Sequence, residues 1–229
     1  MKALLIVLLL ALGLLVLVDR VGVTVAEGQV ADQVAERGGL AGAPDVDITG
    51  FPFLTQALSG RYDEVRISLT AEQLGEPAGT RADVSLFGVQ VPLSDAVSGS
   101  VQEIPVERVD GAATLSYALL AEQLGGDTRL QVDGDRLRID RTVELLGLEV
   151  PVTARGTVSL DGQDLVVDVD DAAAAGVDVP GFVLDGAAEV LDFRYPVPEL
   201  PFGLELTGVD PRDDGVLVQV AATDTVLSG

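Results

Sequence analysis

The chain contains no cysteine, no histidine and a single lysine, and only 4% of its residues are aromatic. Without imidazole or thiol there is no Ser-His-Asp or Cys-His nucleophile, and no zinc site built on those ligands. The one lysine, Lys2, stands at the head of an apolar run, which removes Ser-Lys catalysis as well. No glycine loop suited to phosphate is present; Gly38-Gly39 and Gly125-Gly126 follow helical patterns and read as helix stops. Disulfides are excluded, so an exported domain must hold together by packing alone. With aromatics scarce and hydrophobic residues at 48%, valine, leucine and alanine carry that packing. Basic residues are also short: 14 Lys and Arg against 37 Asp and Glu leave a net charge of −23. Such a surface repels phosphate backbones and anionic headgroups, which excludes nucleic acid as a partner. Attraction to a membrane must then come from apolar burial or a few local arginines.

What is present begins with Ala3–Val18, sixteen residues without a charge, preceded by Lys2 and closed by Asp19-Arg20. A positive residue before an apolar core directs export across the cytoplasmic membrane. The run is long for a secretory signal and short for a spanning helix. Thr24-Val25-Ala26 is an imperfect cleavage site, and helical periodicity continues past Arg20, which favours an uncleaved anchor. The expected organisation is an export signal or anchor over residues 1–26 and one domain over residues 27–229.

Val23, Ala26, Val30, Ala31 and Val34 recur at helical spacing and predict an amphipathic helix from about residue 20 to Arg37. The segment Ile48–Val65 follows and holds Phe51 and Phe53, two of the six phenylalanines, on either side of Pro52. Pro52 predicts an extended kink, Leu54, Ala57 and Leu58 a short helix ended by Gly60, and Val65, Ile67 and Leu69 a half-buried strand. Strands are then expected over Arg81–Val91 with a bulge at Gly88, and over Val109–Leu115, Thr128–Val132, Arg136–Leu146, Glu149–Leu160 and Asp164–Val169. A last pair is expected at Gly203–Val209 and Val216–Ala221. Ser116 is placed to cap a helix through Leu124. Asp133-Gly134, Asp161-Gly162 and Asp214-Gly215 signal tight hairpins. Ala172–Ala175 and Val183–Leu191 read as short helices, and Pro196, Pro198 and Pro201 as an extended crossover. Long antiparallel strands with a few helices make the class α+β.

Carboxylates are the remaining chemistry. Strand alternation sets Asp164, Asp168 and Asp170 on one face with Asp171 nearby, open to three readings: a glycosidase-like acid pair, a calcium site, or a solvated face. Among the arginines, Arg136 and Arg138 share a strand face and suit a phosphate headgroup, against the ordinary alternative of pairing with Asp or Glu. Phe51 and Phe53 either plug a core or, with Leu54 and Leu58, line an apolar mouth.

Gly50-Phe-Pro-Phe-Leu-Thr-Gln56, followed by Gly60-x-Tyr62-Asp63-x-Val65, resembles the actinobacterial LmeA-like family of exported phospholipid-binding proteins. Gly88-Val-x-Val-Pro-Leu93 and Leu200-Pro-Phe-Gly-Leu204 add weaker similarity, and the resemblance runs from the apolar N-terminus almost to Gly229. It implies a tubular lipid-binding architecture, with a long curved antiparallel sheet wrapped round a long helix. It also implies a non-enzymatic, monomeric envelope protein that needs no cofactor or metal, binds phospholipid and supports mannose-containing lipoglycans. Two other functions stay open on the residues alone: a scaffolding envelope protein with a closed core, and a carboxylate-dependent glycan hydrolase.

Overall fold

The structure is a computed structural model that describes residues 2–124, 128–145, 148–174, 193–196 and 200–228. It is α+β. Helix α1 (Lys2–Gly38) leads into β1 (Asp45–Thr49), α2 (Phe53–Ser59), β2 (Arg61–Thr70), α3 (Ala71–Leu74), β3 (Arg81–Gln90), α4 (Leu93–Ser98) and β4 (Glu103–Ser116). Next come α5 (Tyr117–Leu124), β5 (Arg129–Asp133), β6 (Arg136–Leu145), β7 (Leu148–Asp161), β8 (Asp164–Ala174) and β9 (Phe193–Pro196). A 3-10 turn at Pro201–Gly203 precedes the closing strands β10 (Glu205–Arg212) and β11 (Gly215–Ser228). Among the described residues the strands form two antiparallel sheets, ordered β1-β2-β3-β4-β11-β10 and β5-β6-β7-β8-β9.

The chain divides into two compact units, one of residues 1–69, 83–110 and 222–229, the other of residues 70–82 and 111–221. In the first unit the amphipathic pattern that suggests a helix from residue 20 continues without a break from the apolar run, because nothing at Asp19-Arg20 stops a helix. The apolar residues Leu4–Val18 of α1 are exposed, whereas Asp19, Val23 and Ala31 are buried. With Glu27 these positions recur every fourth residue and form one stripe that faces β1 and α2. Two acids therefore stand in the docking face of a helix whose remaining contacts there are apolar. Glu27 accepts a hydrogen bond from the Ile48 amide at 3.0 Å, which satisfies an N–H on the edge strand β1. Ile48, Phe53, Ala57, Tyr62, Val65, Leu86, Val89, Val106 and Val109 join Val23 and Ala31 among the unit's buried apolar residues, with Ala222 of β11.

In the second unit Leu130, Leu137, Ile139, Val152 and Ala154 alternate inward from β5, β6 and β7. Tyr117 and Leu120 of α5 cover them, and Val158, Val167 and Val169 continue the same apolar cluster half-buried. Ser116 caps α5 as expected, accepting a hydrogen bond from the Leu119 amide. β10 packs against β7.

The hairpins fall where the Asp-Gly pairs signal them, but the pairs do not occupy the turn centres. Asp133 pairs with Arg136 and Asp161 with Asp164, so Gly134-Asp135 and Gly162-Gln163 are the two-residue loops. Arg212 pairs with Gly215, which makes Asp213-Asp214 the third loop. Ala172–Ala174 continue β8 and pair with β7, where the sequence suggested a helix; β-sheet partners outweigh alanine's helical preference there. Pro196 ends β9, an edge strand that can tolerate a missing N–H. The sequence expectations for Val183–Leu191, Asp185-Gly186 and Pro198 lie outside the described residues.

The domain start expected at residue 27 falls inside α1, four residues beyond the buried Val23. A chain beginning at Glu27 should unfold at a lower denaturant concentration than one beginning at Asp19. The loss should be about 2–4 kcal/mol, from Val23 burial and the Asp19 contacts described next. Equal midpoints would show that this part of α1 adds nothing to the fold.

Candidate functional site

The motif Gly50–Val65 folds as the turn that carries the chain from β1 through α2 into β2. Pro52 precedes α2 after a cis Phe51–Pro52 bond, and it can offer neither an N–H nor a side-chain cap to that helix. The cap comes instead from α1: the Leu54 amide donates to Asp19 Oδ1 at 2.8 Å. Asp19 is 1% exposed, and its other oxygen accepts from the Arg20 guanidinium at 2.7 Å. A carboxylate at the N-terminus of a helix meets both its unpaired N–H groups and its dipole. Arg20 in turn lies over the Phe51 ring, 5.3 Å from its centre. α1 and α2 approach closely at Gly22, where an added Cβ would stand 3.5 Å from the Phe53 ring.

Gln56 closes the other side of the turn. Its amide donates to the Thr49 carbonyl at 3.0 Å and its carbonyl accepts from the Asp63 amide at 2.9 Å. It is buried, so both backbone groups depend on it. Gly50 has φ 99°, and any Cβ there would come within 2.5 Å of the Gln56 amide nitrogen. Gly60 ends α2 at φ 67°, and a Cβ there would press on Val91 and Pro92, which lead into α4. The Gly60 carbonyl accepts from the Val91 amide at 2.9 Å. These three residues of the motif are therefore explained by the backbone that they shape.

The four apolar candidates separate by position. Phe51 is 64% and Leu58 75% exposed, Leu54 is half-buried, and Phe53 is buried at 6% against α1, with Tyr62 6.2 Å away between ring centres. On α4, beside the end of α2, Leu93 and Val97 are exposed as well. A nearby open depression of about 550 Å³ is walled by the polar side chains of Gln90, Asp95, Ser100, Gln102 and Glu103, with Pro92 and Pro105, a lining poorly suited to an acyl chain.

The arginine candidates lie in the second unit. Arg138 donates to Asp140 at 3.2 Å on the same face of β6 and faces Arg155 of β7, which bonds Asp133 at 2.8 Å and Asp171 at 3.2 Å. Burial pushes the Asp140 carboxyl up, but hydrogen bonds from Thr153 and Arg138 outweigh it and hold its pKa below the ordinary carboxylate value. Arg136 stands opposite Asp133 at the hairpin. Of the acidic group on β8, Asp171 is thus engaged with Arg155 and Asp168 is exposed. Among the described residues no group of three or more acidic side chains is placed to hold a metal ion.

Compared with known families, residues 17–221 match the LmeA-like phospholipid-binding family. The chain belongs to that family. The match begins two residues before Asp19 and so includes the α1 stripe, the motif turn and every strand but the second half of β11. Neither curated proteins nor solved structures gave a match.

The motif is legible in the sequence, Gln56 included, but the roles of Asp19, Glu27 and Gln56 in holding it are not. Only Gln56, a polar residue within an apolar helical stripe, carried a local signal. Asp19→Ala should destabilise the protein by about 1–2 kcal/mol in denaturant titration, and Gln56→Ala by about 2–3 kcal/mol, since it strands two backbone groups. A loss below about 0.5 kcal/mol for either would show that its bonds are not formed in solution.

Proposed function

We propose that this protein binds phospholipid as a non-enzymatic member of the cell envelope, held at the outer face of the cytoplasmic membrane by α1. Membership of the LmeA-like phospholipid-binding family carries this reading. The packing supports it. Val46, Ile67, Leu69, Val84, Phe87 and Ile104 in the first unit, and Val158, Val167 and Val169 in the second, are only half-buried aliphatic and aromatic strand residues. Among the described residues below 2% exposure, the largest side chains are Thr114 and Asp19, with no large aliphatic among them. Strand faces this apolar and this incompletely covered suit acyl chains. A two-chain phospholipid carries about 30 methylenes, so sheltering it from water offsets a cost of about 20 kcal/mol.

The anchor reading rests on α1, one helix long and apolar enough to cross a membrane. Cleavage after Ala26 would remove Asp19 and Val23, both buried in the folded unit, which supports a retained segment. Phe51, Leu54 and Leu58 form the lipid-contacting rim of the first unit, and Phe53 supports them from behind. Arg136 and Arg138 would take the headgroup, Arg138 by giving up its Asp140 partner. The resemblance adds a role in maintaining or elongating mannose-containing lipoglycans.

Lipid extraction and mass spectrometry of the purified full chain test the binding reading. Phospholipid should copurify near one molecule per chain, and Phe51→Ala and Leu58→Ala should lower that content while shifting the denaturation midpoint little, by under about 0.5 kcal/mol. Phe53→Ala should instead cost about 3–5 kcal/mol of stability. Absence of copurified lipid, or lipid loss only in step with unfolding, contradicts the proposal.

A further inference from the structure

The connections α2 and α4 lie at one end of the first unit's strands, and that end is the one from which the apolar part of α1 departs. β1 runs from Asp45 toward Thr49 while α1 is met first at Glu27 by Ile48 and then at Asp19 by Leu54. Chain direction along β1 therefore leads toward the apolar segment, and the motif turn sits at its edge. The bond between Gly60 and Val91 brings the end of β3 and the start of α4 to the same place. This end carries the exposed side chains Phe51, Leu58, Leu93 and Val97.

Helix geometry sets the depth. Residues 3–18 rise only about 24 Å, against about 30 Å of bilayer hydrocarbon. About four more residues, to Gly22, make up the difference, and Val21 among them and Val25 just beyond are each 56% exposed. Asp19 and Arg20 then fall inside the apolar thickness or at its margin, where an unsatisfied charge is costly. In the structure Asp19 is shielded from solvent by α2, and Arg20 is paired with it and lies over Phe51. The turn that buries Asp19, while Arg20 keeps half of its side chain exposed beside Phe51, must itself lie at that level.

Resting on the anchor reading above, we infer that the end of the first unit formed by Phe51, α2 and α4 is seated in the interface of the bilayer that α1 crosses. The occupant of this surface is the lipid of the outer leaflet. Phe51 takes the position of an interfacial aromatic, Leu58, Leu93 and Val97 insert beside it, and Arg20 reaches the headgroup level. Asp95, Glu103 and Arg61 at the same end stay at the headgroup margin, and with a net charge of −23 the seat favours zwitterionic over anionic lipid. Phospholipid would then pass between leaflet and protein without crossing water.

The chain has no tryptophan, so single substitutions give clean depth reporters. Full chains carrying Leu10→Trp, Phe51→Trp, Val97→Trp or Asp45→Trp are reconstituted in phosphatidylcholine vesicles whose acyl chains are brominated. Position 10 reports the span, and position 45, at the far end of β1, reports the region away from the membrane. The seat predicts strong quenching at 10, 51 and 97 and little at 45. The same variants in detergent, loaded with one brominated lipid per chain, give the quenching due to bound lipid alone. Quenching at 51 and 97 in vesicles no greater than in detergent overturns the seat while quenching at 10 keeps the anchor. Loss of quenching at 10 overturns the anchor itself, and the seat with it.

Discussion

The bond between the Asp19 carboxylate and the start of α2 is the constraint on which the first unit depends. A proline at the head of a helix removes the usual cap, and the missing group arrives from a residue 35 positions earlier in the chain. Because that acceptor lies on the helix that also carries the apolar run, α2 cannot be placed independently of α1. The same helix satisfies an edge-strand amide through Glu27, eight residues further along one stripe. A docking face with two acids would be poor for an ordinary amphipathic helix, since a buried carboxylate needs partners. Here each acid meets a backbone group that would otherwise be unsatisfied, so the acids specify position where valines alone would allow sliding.

This constraint ties the apolar N-terminal segment to the motif turn. A segment that only directs secretion leaves no imprint on the mature fold, whereas α1 contributes buried residues on both sides of the possible cleavage site after Ala26. The helix that carries the apolar run is the helix that positions the aromatic turn. Lipid-binding strand faces need no catalytic kit, and the absence of histidine and cysteine costs such a protein nothing. The strong acidity is compatible with such a ligand, because acyl chains are recognised by burial and not by charge.

Much of the fold was legible from periodicity. β3, β5, β6, β7 and the helices α2 and α5 lie within a residue or two of their sequence-derived positions, since alternation and a capping serine are local signals. The motif string identified the family that the profile match then established. β1 and the brief helices α3 and α4 were not readable, being four to six residues long with no full period to display. Asp19 was read as the charge that closes an apolar run, which it is, but its partner lies too far along the chain for any local pattern to show. Phe51 and Phe53, equivalent in sequence, were separated only by packing: one ring stacks under Arg20 in the open and the other fills the gap over Gly22.

The coupling of α1 to the motif turn is tested most directly by amide hydrogen exchange at Phe53 and Leu54, in the full chain and in Asp19→Ala. The account predicts slow exchange in the parent protein and loss of protection confined to the first turn of α2 in the variant, while the Ile139 and Val152 amides keep theirs. Rapid exchange at Phe53 and Leu54 in the parent, or protection unchanged by the substitution, would contradict it.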